Sequence, residues 1–200
     1  MARPRADPTL LRQVAIAVFG LVADHGIDGT SMRAVAAATG LSTGTLNYHF
    51  ENKRGLIRFA LSYAYQPPLD WSAHEGDAAS ALRRLFQRYL LQRDQVRVWW
   101  RFWCAITAAA SSDPEMAEWQ MRTHQALVGF FAAVLGSASR RGELASQVEV
   151  DTEAERLVAL AHGLALRQLV DPRPEVFDLC KLLLEQEIER VCASRTDVRL

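Results

Sequence analysis

The chain has 200 residues, 50% of them hydrophobic and 23% charged, which is enough apolar material for a sizeable core and excludes wholesale disorder. The formal net charge is zero, which taken alone argues against a nucleic-acid-binding protein. Residues 1–60, however, hold seven basic side chains (Arg3, Arg5, Arg12, Arg33, Lys53, Arg54, Arg58) and four acidic ones (Asp7, Asp24, Asp28, Glu51), so this end is positive by three and the remainder negative by three.

Alanine and leucine abound and alternating patterns are scarce, so the chain reads as helices throughout. The first helix is expected from Asp7 or Thr9, where Pro8 suits a first turn. It carries Val14, Val18, Leu21 and Val22 on one face and closes at Gly26. Arg3 and Arg5 ahead of the apolar run Val14 to Ala23 have the look of a signal peptide. Asp7, Arg12 and Gln13 intervene, though, and Asp24-His25-Gly26 stands where a cleavage site belongs. No apolar stretch is judged to approach the roughly 20 residues of a membrane span, so no membrane partner is expected and a cytoplasmic location is.

Ser31 caps a second helix over Met32 to Ala38, which Gly40 ends. Ser42 caps a short third helix, Thr43 to His49, and Asn52 a fourth that runs to about Tyr65, where Pro67 and Pro68 stop it. Gln66 to Gly76, with two prolines and no period, is the expected boundary between a domain of residues 1–65 and one of residues 66–200. Five further helices are expected at about Asp77–Arg93, Val96–Ser111, Pro114–Arg140, Thr152–Val170 and Pro174–Cys192, with loose tails at residues 1–6 and 194–200. Cys104, Cys180 and Cys192 share no metal-ligand spacing and are odd in number, so free thiols in a reducing compartment are expected.

The strongest local signal is Thr30-Ser31-Met32-Arg33-Ala34-Val35-Ala36 followed by Gly40-Leu41-Ser42-Thr43-Gly44-Thr45-Leu46-Asn47-Tyr48-His49-Phe50. These are two short helices joined by a turn that favours glycine. Val35, Leu41 and Leu46 can pack inward, and Ala36 lets the helices approach closely. The outer face then carries Thr43, Thr45, Asn47, Tyr48 and His49, short or flat polar groups able to lie against phosphates and base edges in a major groove. Gly44 lets backbone come close to DNA, and the helix start at Thr43 favours a phosphate. Each of these residues alone has an ordinary reading as packing, cap or solvated surface; it is their agreement that makes the motif specific.

With Asp24-His25-Gly26-Ile27-Asp28-Gly29 before it and Glu51-Asn52-Lys53-Arg54-Gly55-Leu56 after it, this stretch resembles the N-terminal domain of the TetR family of transcriptional regulators, closely over residues 10–60. The Ser-Thr-Gly-Thr helix start and the tryptophan-bearing segment Trp99 to Trp103 are most similar to the branch that includes the choline-responsive regulator BetI. The resemblance implies an all-α protein, with an N-terminal three-helix helix-turn-helix DNA-binding domain and a larger helical ligand-binding and dimerisation domain. It implies DNA contacts at Ser31, Arg33, Thr43, Gly44, Thr45, Tyr48, His49 and Lys53. Asn47 stands where the family often has tyrosine or histidine, and its amide can read adenine. Double-stranded operator DNA, a second copy of the chain and a small-molecule effector are the implied partners.

Trp99, Trp100 and Trp103 cluster with Phe102 in one helix, where a core stripe and a ligand-pocket wall are both open readings. Trp99, Trp103, Trp119, His124, Phe131 and His162 are the candidate effector-contacting residues, with a lipophilic or aromatic effector expected first and a lipophilic cation second. Leu157, Leu160 and Leu164, and then Val176, Cys180, Leu184, Ile188 and Val191 widened by Leu179 and Leu183, line the last two helices at three- and four-residue steps. Either they pack within the chain or, as the resemblance implies, they build half of a four-helix dimer bundle. No catalytic constellation, phosphate loop or metal spacing is present, so no enzyme activity, cofactor or metal is expected. The rival reading is a helical small-molecule-binding protein whose DNA-binding domain is vestigial.

Overall fold

The computed structural model describes residues 7–64, 76–87, 89–90 and 94–192. Among them the helices are α1 (Pro8–Gly29), α2 (Met32–Thr39), α3 (Thr43–Phe50), α4 (Lys53–Ala64), α5 (Ala78–Phe86), α6 (Asp94–Ala110), α7 (Pro114–Arg140), α8 (Val150–Val170) and α9 (Pro174–Val191). The all-α class expected from the sequence is what the chain adopts; an isolated bridge between Leu144 and Cys192 is its one β feature among the described residues. The expected tails, and the expected boundary from Gln66 to Gly76 save its last residue, lie outside the described residues. The chain divides into two compact units, Met1–Pro67 with Val98–Thr123, and Pro68–Arg97 with His124–Leu200.

In the first unit, Asp7 Oδ1 accepts the Thr9 N–H at 2.9 Å and Pro8 occupies the first turn, which starts α1. At Gly26 the backbone leaves the helix with φ 70°, a value that suits glycine, and the helix resumes to Gly29. By length and composition α1 is long and apolar enough to cross a membrane, contrary to the expectation from the sequence. Its stripe of Val14, Ala15, Val18 and Val22 is nevertheless buried, packed on α2 and α4 as the core helix of this unit. Val35, Leu46, Phe50, Leu56, Ile57 and Leu61 complete the core, together with Phe102 and Ile106 of α6 and Met116 of α7. Each such side chain removed from water contributes roughly 1.5–3 kcal/mol against the entropy of ordering it. The Phe19 and Phe102 rings pack with centroids 4.8 Å apart, and Arg101 Nη1 meets Asp24 Oδ1 at 3.0 Å.

In the second unit, Asp77 Oδ1 accepts the Ser80 N–H at 2.8 Å and Glu143 Oε2 the Ala78 N–H at 2.8 Å, so two carboxylates satisfy the first turn of α5. That helix ends at Phe86, well short of the expected Arg93: the Gln87 N–H turns to the carbonyls of Arg83 and Leu85, and Tyr89 N–H to that of Phe86 at 2.8 Å. α8 starts at Val150, before the expected Thr152, and the preceding Glu149 makes no side-chain cap. Val176, Cys180, Leu184, Ile188 and Val191 are all buried within the single chain, facing α5 and α8. Glu153, itself buried, is paired with Arg156 and Arg190, which also hold Glu187, as a buried carboxylate requires.

Candidate nucleic-acid interface

The interface is built from the caps outward. Ser31 Oγ accepts the Ala34 N–H at 3.1 Å to start α2. Gly40, at φ 69°, closes it in the left-handed region, where its missing Cβ avoids strain. Ser42 Oγ then accepts the Thr45 N–H at 3.0 Å and lies 2.9 Å from Thr45 Oγ1, so the first turn of α3 is fixed by side chains. Leu46 and Phe50 bury one face of α3 and Val35 and Ala36 one face of α2. Thr43, Gly44, Asn47 and Tyr48 are left on the outside, Tyr48 with 49% of its surface exposed, and Thr45 and His49 are half-buried beside them. The Tyr48 and His49 rings meet edge to face at 5.1 Å. Ser31 and Arg33 are exposed at the start of α2. Every residue expected to touch DNA except Lys53 therefore falls on the caps and open faces of α2 and α3.

Lys53 opens α4. Its Nζ donates to the Asp28 carbonyl at 3.2 Å, which uses one of its three donors and draws α4 to the end of α1. Between α3 and α4 the chain turns sharply at Glu51, whose φ is 66°. The Asn52 N–H donates to the Phe50 carbonyl at 2.7 Å, and Asn52 Oδ1 accepts the Gly55 N–H at 2.9 Å. A Cβ on Gly55 would lie 2.2 Å from the Phe50 carbonyl oxygen, so only glycine lets α4 pass this close to the end of α3.

Sequence reasoning missed the acidic partners of α4. Arg54 Nη2 donates to Asp113 Oδ2, and Arg54 Nε lies 3.1 Å from Glu115 Oε2. Asp113 is held below the ordinary carboxylate range, chiefly by the Met116 N–H and then by the charge of Arg54. The Arg58 guanidinium sits 5.2 Å from the centre of the Trp119 ring. Basic residues four apart on one helix, and Asp-Pro-Glu at the start of another, were visible in the sequence; that they meet across 59 residues was not.

The six candidate effector residues separate. Trp99, Trp103 and Trp119 belong to the first unit and His124, Phe131 and His162 to the second. Of the α6 tryptophans the fully buried one is Trp100, with Trp99 and Trp103 half-buried against it at 4.9 and 5.2 Å. Trp119 packs on the core shared by α1, α4 and α6. In the second unit the structure brings Phe131, Tyr89, His162 and His124 into one aromatic group, with successive centroids 6.5, 6.0 and 6.3 Å apart. Burial, and then the neighbouring His124, push the His162 pKa down to about 4, so its imidazole is neutral at physiological pH. His124 Nε2 lies 3.0 Å from Glu155 Oε2. Tyr89 continues the three- and four-residue apolar steps of Leu82, Leu85 and Phe86 in the sequence, but its place in this group was not foreseen. Among the described residues no three His, Cys, Asp or Glu side chains gather as a metal ion needs.

Two capped helices with a buried inner face and a polar outer one define a helix-turn-helix DNA-binding protein. Residues 16–59 match the family model for bacterial regulatory proteins of the tetR family, and residues 78–193 match that for the C-terminal region of BetI-type transcriptional repressors. The second match covers more than half the chain, and the protein belongs to the TetR family of helix-turn-helix transcriptional regulators. It is 26% identical over 193 residues to the regulator PksA of Bacillus subtilis, covering 92% of this chain and 91% of PksA. A TetR-family regulator from Rhodococcus sp. superposes with TM-score 0.82 at 24% identity, over 92% of this chain and 98% of that one. A transcriptional regulator from Saccharomonospora viridis, in complex with choline, does so with TM-score 0.77 at 21% identity, over 94% of this chain and all of that one.

Proposed function

We propose that this regulator is a repressor that docks α3 into the major groove of its operator and is released by a small organic effector. The observation that carries the reading is the outer face of α3. Leu46 and Phe50 are committed to the core, and Thr43, Gly44, Asn47 and Tyr48 are presented outward with Thr45 and His49 beside them. Thr43 and Thr45 suit phosphates and base edges, Asn47 an adenine edge, and Tyr48, His49, Ser31 and Arg33 the backbone. Lys53 keeps two N–H donors beyond the one spent on Asp28 and adds a phosphate contact from the start of α4.

The chain acts as a homodimer, because two recognition helices about 34 Å apart are what successive major grooves accept. Its seam is α8 and α9, where Leu166, Val170, Leu179, Leu182 and Leu183 stay exposed although apolar, Val170 to 82%. The effector is lipophilic or aromatic, with a lipophilic cation as the second candidate. Support comes from the aromatic group of Tyr89, Phe131, His162 and His124, whose His162 is uncharged, and from the Saccharomonospora viridis regulator, which binds choline.

The test is selection of duplexes from a random-sequence pool by the full-length protein, followed by anisotropy titration of the recovered sequence. Half-sites one helical turn apart, bound at least a thousandfold more tightly than scrambled duplex, are expected. Equal affinity for both duplexes is the result that would favour the rival, a small-molecule-binding protein with a vestigial DNA domain.

A further inference from the structure

We propose that Arg54 is a positioning residue for DNA binding: its ion pairs with Asp113 and Glu115 hold the first turn of α4, and through it the end of α3, in the DNA-binding pose. This rests on α3 being the recognition helix and adds a residue that does not itself touch DNA.

On the acidic side, Asp113 divides its carboxylate. Oδ1 accepts the Glu115 and Met116 N–H groups at 3.0 and 3.2 Å and so caps α7, while Oδ2 accepts from Arg54. Glu115 takes Arg54 Nε at 3.1 Å. One turn along α4, Arg58 lies over Trp119, itself one turn beyond Glu115. The start of α7 thus carries two successive rests for α4, and the first is braced by the cap of its own helix. On the other side, the first turn of α4 is locked to α3. Gly55 touches the Phe50 carbonyl so closely that no Cβ fits, and the Asn52 N–H donates to that same carbonyl at 2.7 Å. A shift of the α4 first turn therefore carries Phe50, α3 and the adjacent Lys53 with it. Half-exposed ion pairs add little stability, but a guanidinium shared by two carboxylates fixes direction.

The competing role is direct: Arg54, next to Lys53, would grip a phosphate. The two roles differ in sign on the acidic side. If Arg54 bound phosphate, neutralising Asp113 and Glu115 would release it and tighten DNA binding, and the loss of two negative charges would help. If Arg54 positions α4, the same change weakens binding despite the more favourable charge.

The experiment is anisotropy with a fluorescent duplex selected by the wild-type protein, using Arg54→Ala, Arg54→Lys and the double variant Asp113→Asn/Glu115→Gln. Asparagine keeps the capping oxygen, so α7 stays intact. Arg54→Ala and the double variant should each weaken binding about fivefold, with no further loss when combined, and Arg54→Lys should recover most of it. Thermal melts should stay near wild type, and the slope of log Kd against log salt should not change. Unchanged or tighter binding by the double variant would overturn the proposal, as would a salt slope lower by about one in Arg54→Ala. Tyr48→Ala in the same titration separates the layers. If it binds normally, the recognition-helix reading fails and Arg54 with it; if it alone weakens binding, only the positioning role falls.

Discussion

Gly55 shows how a single missing carbon shapes the DNA-facing unit. Its replacement by alanine would drive a methyl into the Phe50 carbonyl, an atom of backbone that cannot rotate aside. Gly55→Ala should lower the unfolding free energy by roughly 1–3 kcal/mol in urea titration. A wild-type midpoint would show that α3 and α4 are not locked. His162 acts through charge instead. Its ordinary pKa of 6.5 is pushed down to about 4 by burial and by His124, so the unfolded chain gains a proton that the folded chain refuses. Stability should therefore fall as pH drops from about 6.5 to 4, with this contribution flat above and below that window. In His162→Phe the melting temperature should lose that slope between pH 6.5 and 5, above the range in which carboxylates titrate. Of these two positions, Gly55 was legible only as part of a family pattern. The environment of His162 was not, because Tyr89 and His124 reach it from 73 and 38 residues away in the chain.

At the scale of elements, each helix found among the described residues was expected from the sequence, and local caps fixed the ends of some more closely than others. Ser31, Gly40 and Ser42 bound α2 and α3 where the sequence placed them, because each cap is a local bond between residues three or four apart. Pro114 and Pro174 likewise open α7 and α9. α5 overran in prediction because nothing in the amphipathic run after Phe86 signals a stop; the backbone tightens there instead. The α9 stripe was correctly seen as apolar, but its period says nothing of what covers it, and α5 and α8 do. The proposed dimer seam therefore keeps Leu179 and Leu183 of the expected stripe, adds the exposed Leu182, and leaves out the buried Leu184. Leu182→Glu should give a folded monomer by light scattering, since Leu182 is 53% exposed. Leu184→Glu should instead destabilise the chain by several kcal/mol, because it buries an unpaired charge. A folded monomer from Leu184→Glu and a dimer from Leu182→Glu would contradict this seam.

For the molecule as a whole, the formal neutrality of the chain hides a division of labour: the positive surplus lies in residues 1–60 and the negative one beyond. The fold class was legible because helical periodicity and caps are local. The candidate DNA contacts could be proposed from the sequence because most of them sit on one short segment. The aromatic group of the second unit was only half visible, since it is assembled from α7, α8 and the turn after α5. The most direct test of the central claim, that α3 and the start of α4 grip operator DNA, is the salt dependence of Kd for wild type and for Tyr48→Ala/Lys53→Ala. The wild type should lose affinity steeply with salt. The double variant, which melts like wild type because Tyr48 is exposed and Lys53 gives up only one surface hydrogen bond, should bind at least tenfold more weakly, with a shallower slope. Equal affinity and equal slope in the two proteins would contradict the account.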